Sequence, residues 1–119
     1  MKVNTLRIPC RDLVQSEDFY TNLLGLEKSY GSPNEGYVGY KIENADILIE
    51  NEEDGEFESG RYLGFSIEVP DIHKFYLSSA SKGVTFTGPP ERQAWGGVMT
   101  HVKDCNGNSF SVVQVDNLT

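Results

Sequence analysis

The strongest constraint on the fold is an internal repeat of turn and helix-end signals. Asp12-Leu13 recurs as Asp71-Ile72, and Leu24-Gly25-Leu26 recurs as Lys82-Gly83-Val84, in the same order along the chain. Between the two signals, each copy has apolar residues at helical spacing, and strand-like runs lie before and after that segment. The repeat predicts an α+β fold made of two strand–helix–three-strand (βαβββ) modules.

The segment 51–60 is the predicted boundary between the modules, because it is rich in acidic residues and glycine. We therefore predict a first module over residues 1–54 and a second over residues 55–119. A chain of 119 residues is short enough for both modules to form one compact structural domain.

Each module has one predicted helix and four predicted strands. The first helix is expected to begin with Ser16 as its N-cap and to end at Gly25, and the second begins with Asp71 as its N-cap and ends before Gly83. The predicted strands are 3–9, 26–30, 37–42, 45–50, 61–69 and 84–87, followed by a hairpin within 95–114. The hairpin turns at Asp104-Cys105-Asn106-Gly107-Asn108, because Asn-Gly tolerates the positive φ of a tight turn.

Composition and charge narrow the classes of partner. The formal net charge is −8 and the sequence pI is about 4.6, which argues against nucleic acid and against anionic membrane surfaces. Two interpretations of the acidity stay open, namely solubility and attraction of a cationic ligand. No signal peptide and no membrane-spanning apolar run are evident, and Cys10 and Cys105 lack metal-type spacing, so we expect a cytoplasmic protein.

Alternation along the strands predicts which side chains face away from the helices. In such a βαβββ module, one face of the sheet is covered by the helix and the other is open. The residues predicted for the covered faces are Leu6, Ile8, Ile47, Ile49, Phe65, Ile67, Val69, Val98, Val102, Phe110 and Val112. The residues predicted for the open faces are Thr5, Arg7, Asp46, Leu48, Glu50, Gly64, Ser66, Glu68, Met99, His101, Ser111 and Val113.

If two such open faces meet, they enclose a cavity with a mixed lining, which is the usual setting for a small molecule. The predicted ligand-binding residues are Arg7, Tyr37, Leu48, Glu50, Glu68, Trp95, Met99, His101 and Ser111. For Arg7 and Glu68, a structural ion pair and ligand recognition are both open. For His101, a hydrogen-bonded wall residue and a titrating contact are both open.

The chain resembles the vicinal oxygen chelate superfamily, the glyoxalase/bleomycin-resistance/dioxygenase group. The resemblance rests on Asp12-Leu13, Phe19-Tyr20 and Leu23-Leu24-Gly25-Leu26 near the start. It also rests on the turn 104–108, which is similar to the family's Asp-Pro-Asp-Gly-Asn turn with Cys105 and Asn106 as departures. It covers nearly the whole chain and implies paired βαβββ modules in a cup-shaped mixed sheet, often assembled as a homodimer.

The resemblance also implies where an enzyme of this group would hold a divalent metal. By position, the ligand sites fall near Thr5, Leu48, Gly64 and Ser111, none of which supplies the usual His or Glu. Glu50 and His101 are the nearest substitutes, which is fewer than a stable site needs. We therefore expect no cofactor, and a divalent metal is disfavoured.

Two classes of function remain. The first is a metal-free protein of the resistance type that binds a small aromatic or cationic molecule, with Trp95 and Tyr37 stacking and Glu50 and Glu68 meeting positive charge. The alternative is a lyase-, isomerase- or dioxygenase-like enzyme that uses a non-standard metal site or His101 as general base. Whether the chain is an enzyme is left open.

Overall fold

The computed structural model describes residues 1–115, and the last four residues of the predicted second module lie outside that range. Within it, the strands are β1 (Thr5–Cys10), β2 (Lys28–Ser32), β3 (Tyr37–Ile42), β4 (Ala45–Asn51), β5 (Tyr62–Glu68), β6 (Thr85–Phe86), β7 (Glu91–Arg92), β8 (Val98–Lys103) and β9 (Ser109–Gln114). The helices are α1 (Leu13–Asp18) and α2 (Ile72–Ser81), with a π-helical turn at Phe19–Leu23 and a 3-10 turn at Pro33–Glu35. Neither α1 nor α2 has the length and apolar character that crossing a membrane requires, and this holds for every described helix.

The chain divides into two compact units. The first unit comprises residues 1–61 together with 105–107, and the second comprises residues 62–104 together with those from 108 onward. Each unit has the order strand, helix, strands, so the α+β fold class and the βαβββ order predicted from the repeat are confirmed.

The first sheet has the strand order β1-β4-β3-β2. β1 runs parallel to β4, and the other neighbours are antiparallel. α1 packs against β3 and β4, and the side chains beneath it, including Ile8, Ile49 and Tyr40, are fully buried. The pairing of β2 with β3 shifts between Lys28 and Tyr30, where a β-bulge interrupts the alternation.

The second sheet has the order β5-β9-β8-β6, with the short β7 also pairing with β8. β5 runs parallel to β9, and their register shifts between Tyr62 and Ser66 around Gly64, which has φ of +78°. α2 contacts β9. β7 was not predicted from the sequence, because its two residues, Glu91 and Arg92, carry no apolar alternation.

The first helix begins earlier than predicted. Asp12, not Ser16, is the N-cap, and its carboxylate accepts a hydrogen bond from the Gln15 backbone N–H at 3.1 Å. The Ser16 hydroxyl is fully buried and donates to the Asp12 carbonyl at 2.8 Å. The prediction failed because Ser16 and Asp12 are both good caps, and the burial of Ser16 could not be seen in the sequence.

The second helix agrees with the prediction. The Asp71 carboxylate accepts from the Lys74 backbone N–H at 3.1 Å, and Gly83, with φ of +98°, follows the helix end. A β-carbon at this φ would be strained, so glycine suits the reversal into β6.

The covered faces of the strands follow the predicted alternation. Ile47, Ile49, Val98, Val102, Phe110 and Val112 are buried, and Phe65, Ile67 and Val69 are partly exposed. Ser111 differs from the other residues of the open face because it is only 2% exposed. Its neighbours on the sheet cover it, as described next.

Candidate functional site

The open face of the first sheet brings together the predicted residues of the first unit. In the strand register, Arg7 lies opposite Leu48, and Glu50 lies opposite Tyr37. Paired residues on neighbouring strands point to the same side of a sheet, so these four side chains share one face. Thr5 lies at the far end of the same face, opposite Asp46.

Arg7 forms an ion pair within this face. Its Nε donates to Glu50 Oε1 at 2.6 Å, and its guanidinium carbon lies 4.3 Å from the centre of the Phe57 ring. Both partners keep solvent contact, with side-chain exposures of 53% and 31%, so the pair itself adds at most about 1 kcal/mol to stability. The sequence left an ion pair with Glu68 and ligand recognition both open for Arg7. The ion pair that the structure shows for Arg7 is with Glu50 instead.

The segment that carries Phe57 is folded rather than a plain linker. Glu53 and Phe57 form an isolated antiparallel bridge. The Glu52 carboxylate accepts from the Ser59 hydroxyl at 2.5 Å and from its backbone N–H at 3.1 Å, and these two hydrogen bonds lower the pKa of Glu52. Phe57 is thereby held where it can contact Arg7.

Two tyrosines form an aromatic patch beside the ion pair. The Tyr30 ring lies over Gly39, where any β-carbon would collide with it, and its centre is 6.3 Å from that of Tyr37. The Tyr30 hydroxyl donates to Asp46 Oδ2 at 3.3 Å. Loss of hydration, followed by the nearby Asp46 charge, raises the pKa of Tyr30. The sequence missed Tyr30 because the bulge in β2 decides which face it occupies.

In the second unit, a buried hydroxyl links two ring side chains. Ser111 Oγ lies 2.9 Å from the Tyr62 hydroxyl and 3.1 Å from Nδ1 of His101. His101 lies opposite Ser111 in the register, and the Tyr62 ring meets the His101 ring edge-on with centres 6.0 Å apart. Tyr62 was not among the predicted site residues, because the irregular pairing around Gly64 is what brings it to Ser111.

A depression of about 340 Å³ lies next to His101 on this sheet. Glu91 is the register partner of Met99, and both residues line the depression. The residues that line it are Thr87, Gly88, Pro89, Glu91, Gln93, Met99, Thr100 and His101. Met99 and His101 were predicted as ligand contacts, whereas the connection between β6 and β7 was not.

Trp95 and Glu68 lie on the second unit but not in this depression. The Trp95 ring occupies the position that a side chain at Gly97 would take, and the residue is 58% exposed. Glu68 is exposed at the end of β5, paired with Val113. Both side chains are therefore accessible.

A larger depression, of about 500 Å³, lies at the β2–β3 edge of the first sheet and is lined by Glu27, Lys28, Ser29, Lys41, Ile42 and Glu43. It has no aromatic side chain and contains none of the predicted site residues. Its charges of mixed sign are typical of a solvated sheet edge.

The donor set does not fit a divalent metal in either unit. At the implied positions, Leu48 and Gly64 offer no donor, and the Ser111 hydroxyl is engaged by Tyr62 and His101. Of the carboxylates on the same face of the first sheet, Glu50 is paired with Arg7, and Asp46 accepts a hydrogen bond from Tyr30. Across residues 1–115, no three His, Cys, Asp or Glu side chains come together as a metal-binding group.

The comparisons with known proteins agree on the family. Residues 2–112 match the model of the Glyoxalase/Bleomycin resistance protein/Dioxygenase superfamily. A solved member of that superfamily from Sphaerobacter thermophilus DSM 20745 is 33% identical, with 96% of this chain and 97% of that chain covered and a TM-score of 0.83. No match was found among curated proteins.

Two further solved structures share the fold at low identity. TnmS3, an antibiotic binding protein from Streptomyces sp. CB03234, is 18% identical with a TM-score of 0.83, over 98% of this chain and 97% of its own. A lactoylglutathione lyase from Agrobacterium tumefaciens is also 18% identical, with a TM-score of 0.74 over 94% and 92%. The same architecture thus carries both binding and catalysis. From the match over residues 2–112, the chain belongs to the glyoxalase/bleomycin resistance protein/dioxygenase superfamily.

Proposed function

We propose that this chain is a metal-free binding protein of the resistance type, whose ligand is a small aromatic molecule with a positive charge. The observation that carries the proposal is the pairing of exposed aromatic rings with carboxylates on the open face of the first sheet. Tyr30 and Tyr37 lie beside Asp46 and Glu50 there. Rings bind planar groups by stacking, and carboxylates favour a cation among the alternatives.

The overall charge supports a cationic ligand. A net charge of −8 raises the local concentration of cations and speeds their association. A cation over an aromatic face adds about 0.5–2 kcal/mol, depending on how far it is desolvated. The charge alone is also compatible with a role in solubility. The proposal of an aromatic ligand therefore rests on the aromatic patch.

The chemistry of the donor set supports binding over metal-assisted catalysis. In reactions that polarise a substrate through a divalent metal, several protein side chains hold the metal. The side chains at the implied positions do not fit a divalent metal. That TnmS3 is an antibiotic binding protein supports the proposal as a precedent on the same fold.

The test is a titration with three probes that share one planar ring system and differ only in charge. Trp95 is the only tryptophan, so its fluorescence can be excited selectively. We expect saturable binding that is strongest for the cation and weakest for the anion. No saturable binding of the cation, by fluorescence or by equilibrium dialysis, would overturn the proposal.

A matched pair of variants tests whether the preference for a cation comes from Glu50 or from the net charge of the protein. Glu50→Gln removes the carboxylate of the open face, and Glu17→Gln removes one on α1 that is paired with Lys28 and has a similar exposure, 28% against 31%. Glu50→Gln is expected to weaken cation binding severalfold, whereas Glu17→Gln leaves it unchanged. Equal loss in both variants would assign the preference to net charge alone.

A further inference from the structure

The Tyr62–Ser111–His101 chain can set the proton position on the histidine ring. Ser111 is 2% exposed, so its hydroxyl hydrogen and its lone pairs depend on protein partners. Its two neighbours are the Tyr62 hydroxyl at 2.9 Å and His101 Nδ1 at 3.1 Å. Because Ser111 has one hydroxyl hydrogen, it can donate to only one of these two neighbours, and it then accepts from the other.

The chemistry of the three groups favours one direction. A phenol is a stronger donor than an aliphatic hydroxyl, and an imidazole nitrogen is a stronger acceptor than a phenol oxygen. The favoured chain thus runs from the Tyr62 O–H to Ser111 Oγ and from the Ser111 O–H to His101 Nδ1. Since Nδ1 is then the acceptor, the ring hydrogen of neutral His101 is carried by Nε2.

The other ring nitrogen, Nε2, has no hydrogen-bond partner within residues 1–115. His101 lines the 340 Å³ depression together with Met99 and Glu91. Among residues 1–115, only Ser111 makes a hydrogen bond with the ring of His101. A donor at the wall of a partly apolar depression favours ligands that place an acceptor against it.

We propose that this depression is a subsite for a hydrogen-bond acceptor oxygen, such as a carbonyl or quinone oxygen, and that His101 Nε2–H is its donor. The inference rests on the proposed function and states what the second unit itself would bind, namely an aromatic cation that also carries such an oxygen. Glu91 on the same wall suits the positive charge. A donating Nε2–H cannot accept a proton, so this arrangement argues against His101 as a general base.

The first test is the tautomer of His101 in the unliganded protein, measured by long-range proton–nitrogen NMR. The chain has two histidines, and His73→Asn on α2 identifies the other set of signals. We expect the hydrogen of neutral His101 on Nε2. A hydrogen on Nδ1 would overturn the subsite, and this result does not depend on whether any ligand binds.

The second test compares an anthraquinone with the corresponding anthracene, each carrying the same quaternary ammonium side chain. We expect the wild-type protein to prefer the anthraquinone, and His101→Phe to reduce that preference by about threefold to tenfold, as for one net hydrogen bond. His73→Phe is the matched control, since His73 is exposed on α2, and it should leave the preference unchanged.

The outcomes separate the two proposals. If neither compound binds the wild-type protein, the proposed function is wrong. If both bind but the preference is the same in the wild-type protein and in folded His101→Phe, only the subsite is wrong. Thermal melts of each variant establish that the comparison is made between folded proteins.

Discussion

The two open sheet faces have the same topological origin but different polar chemistry. On the first, Arg7 is paired with Glu50, and two tyrosine rings lie beside them, one of which donates to Asp46. On the second, a neutral hydrogen-bonded chain positions His101 beside a depression. A duplicated βαβββ order therefore fixes where the open faces are, and not what each one recognises.

The difference arises where each sheet departs from regular pairing. The bulge between Lys28 and Tyr30 turns the Tyr30 ring over Gly39 in the first unit. The shift between Tyr62 and Ser66 brings the Tyr62 hydroxyl to Ser111 in the second. In both units, an irregular strand supplies the tyrosine that organises the open face.

The largest change in stability is expected from substitution of a core residue of the first unit. Tyr40 is fully buried, and its hydroxyl lies 2.8 Å from Thr21 Oγ1 and donates to the Glu17 carbonyl at 3.2 Å. Tyr40→Ala should lower the free energy of unfolding by about 3–5 kcal/mol, measured by urea denaturation. Tyr40→Phe should cost about 0.5–1.5 kcal/mol, because only the hydrogen bonds are lost. Equal costs for the two variants would contradict the packing of the ring.

The next effect concerns residues 105–107, which belong to the first unit. The buried Asn106 accepts from the Arg11 backbone N–H and donates to Ser16 Oγ, both at 3.0 Å. Asn106→Ala should cost about 1–3 kcal/mol, because it removes the hydrogen bonds with the Arg11 N–H and with Ser16 Oγ. Cys105→Ala, at an exposed neighbour in the same turn, is the control and should cost less. If Asn106→Ala left the free energy of unfolding unchanged, Asn106 would not stabilise the first unit.

Alkaline pH should also act on the first unit. Loss of hydration, together with the Glu17 charge, raises the pKa of Tyr40 above its ordinary value of 10.0, although Thr21 opposes the shift. The pKa of Tyr40 is higher in the folded protein than in the unfolded chain. Its contribution to the free energy of unfolding is therefore fully present below pH 10 and is lost as the pH rises through the folded pKa. Stability measured against pH should therefore fall less steeply above pH 10 in Tyr40→Phe. Identical slopes in the two proteins would contradict this assignment.

The smallest change in stability is expected from substitution of Arg7 on the open face of the first sheet. Arg7→Met removes the exposed ion pair with Glu50 and should change stability by no more than about 1 kcal/mol. It also frees the Glu50 carboxylate, so cation binding should strengthen while stability hardly changes. Weaker binding of the cationic probe in Arg7→Met would show that Arg7 contacts the ligand directly.

The sequence predicted the parts of the fold that depend on local signals. Regular alternation placed Leu48, Glu50, Met99 and His101 on the open faces, and Asp71 and Gly83 marked the ends of α2. Tyr30 was missed because the bulge before it has no apolar signature. Tyr62 has the same alternation as Gly64 and Ser66, and what the sequence does not show is the register shift that brings its hydroxyl to Ser111. Ser111 was placed on the correct strand face, but its burial depends on two rings from other positions.

Binding of the ligand without a metal can be tested by elemental analysis combined with a binding measurement. Protein purified without chelators is analysed for divalent metals, and the affinity for the cationic aromatic probe is then measured with and without added zinc or manganese. We expect no stoichiometric metal and an affinity that neither chelator nor metal changes. A stoichiometric metal that is lost in His101→Phe or Glu50→Gln, with binding lost alongside it, would show that the ligand is bound through a metal.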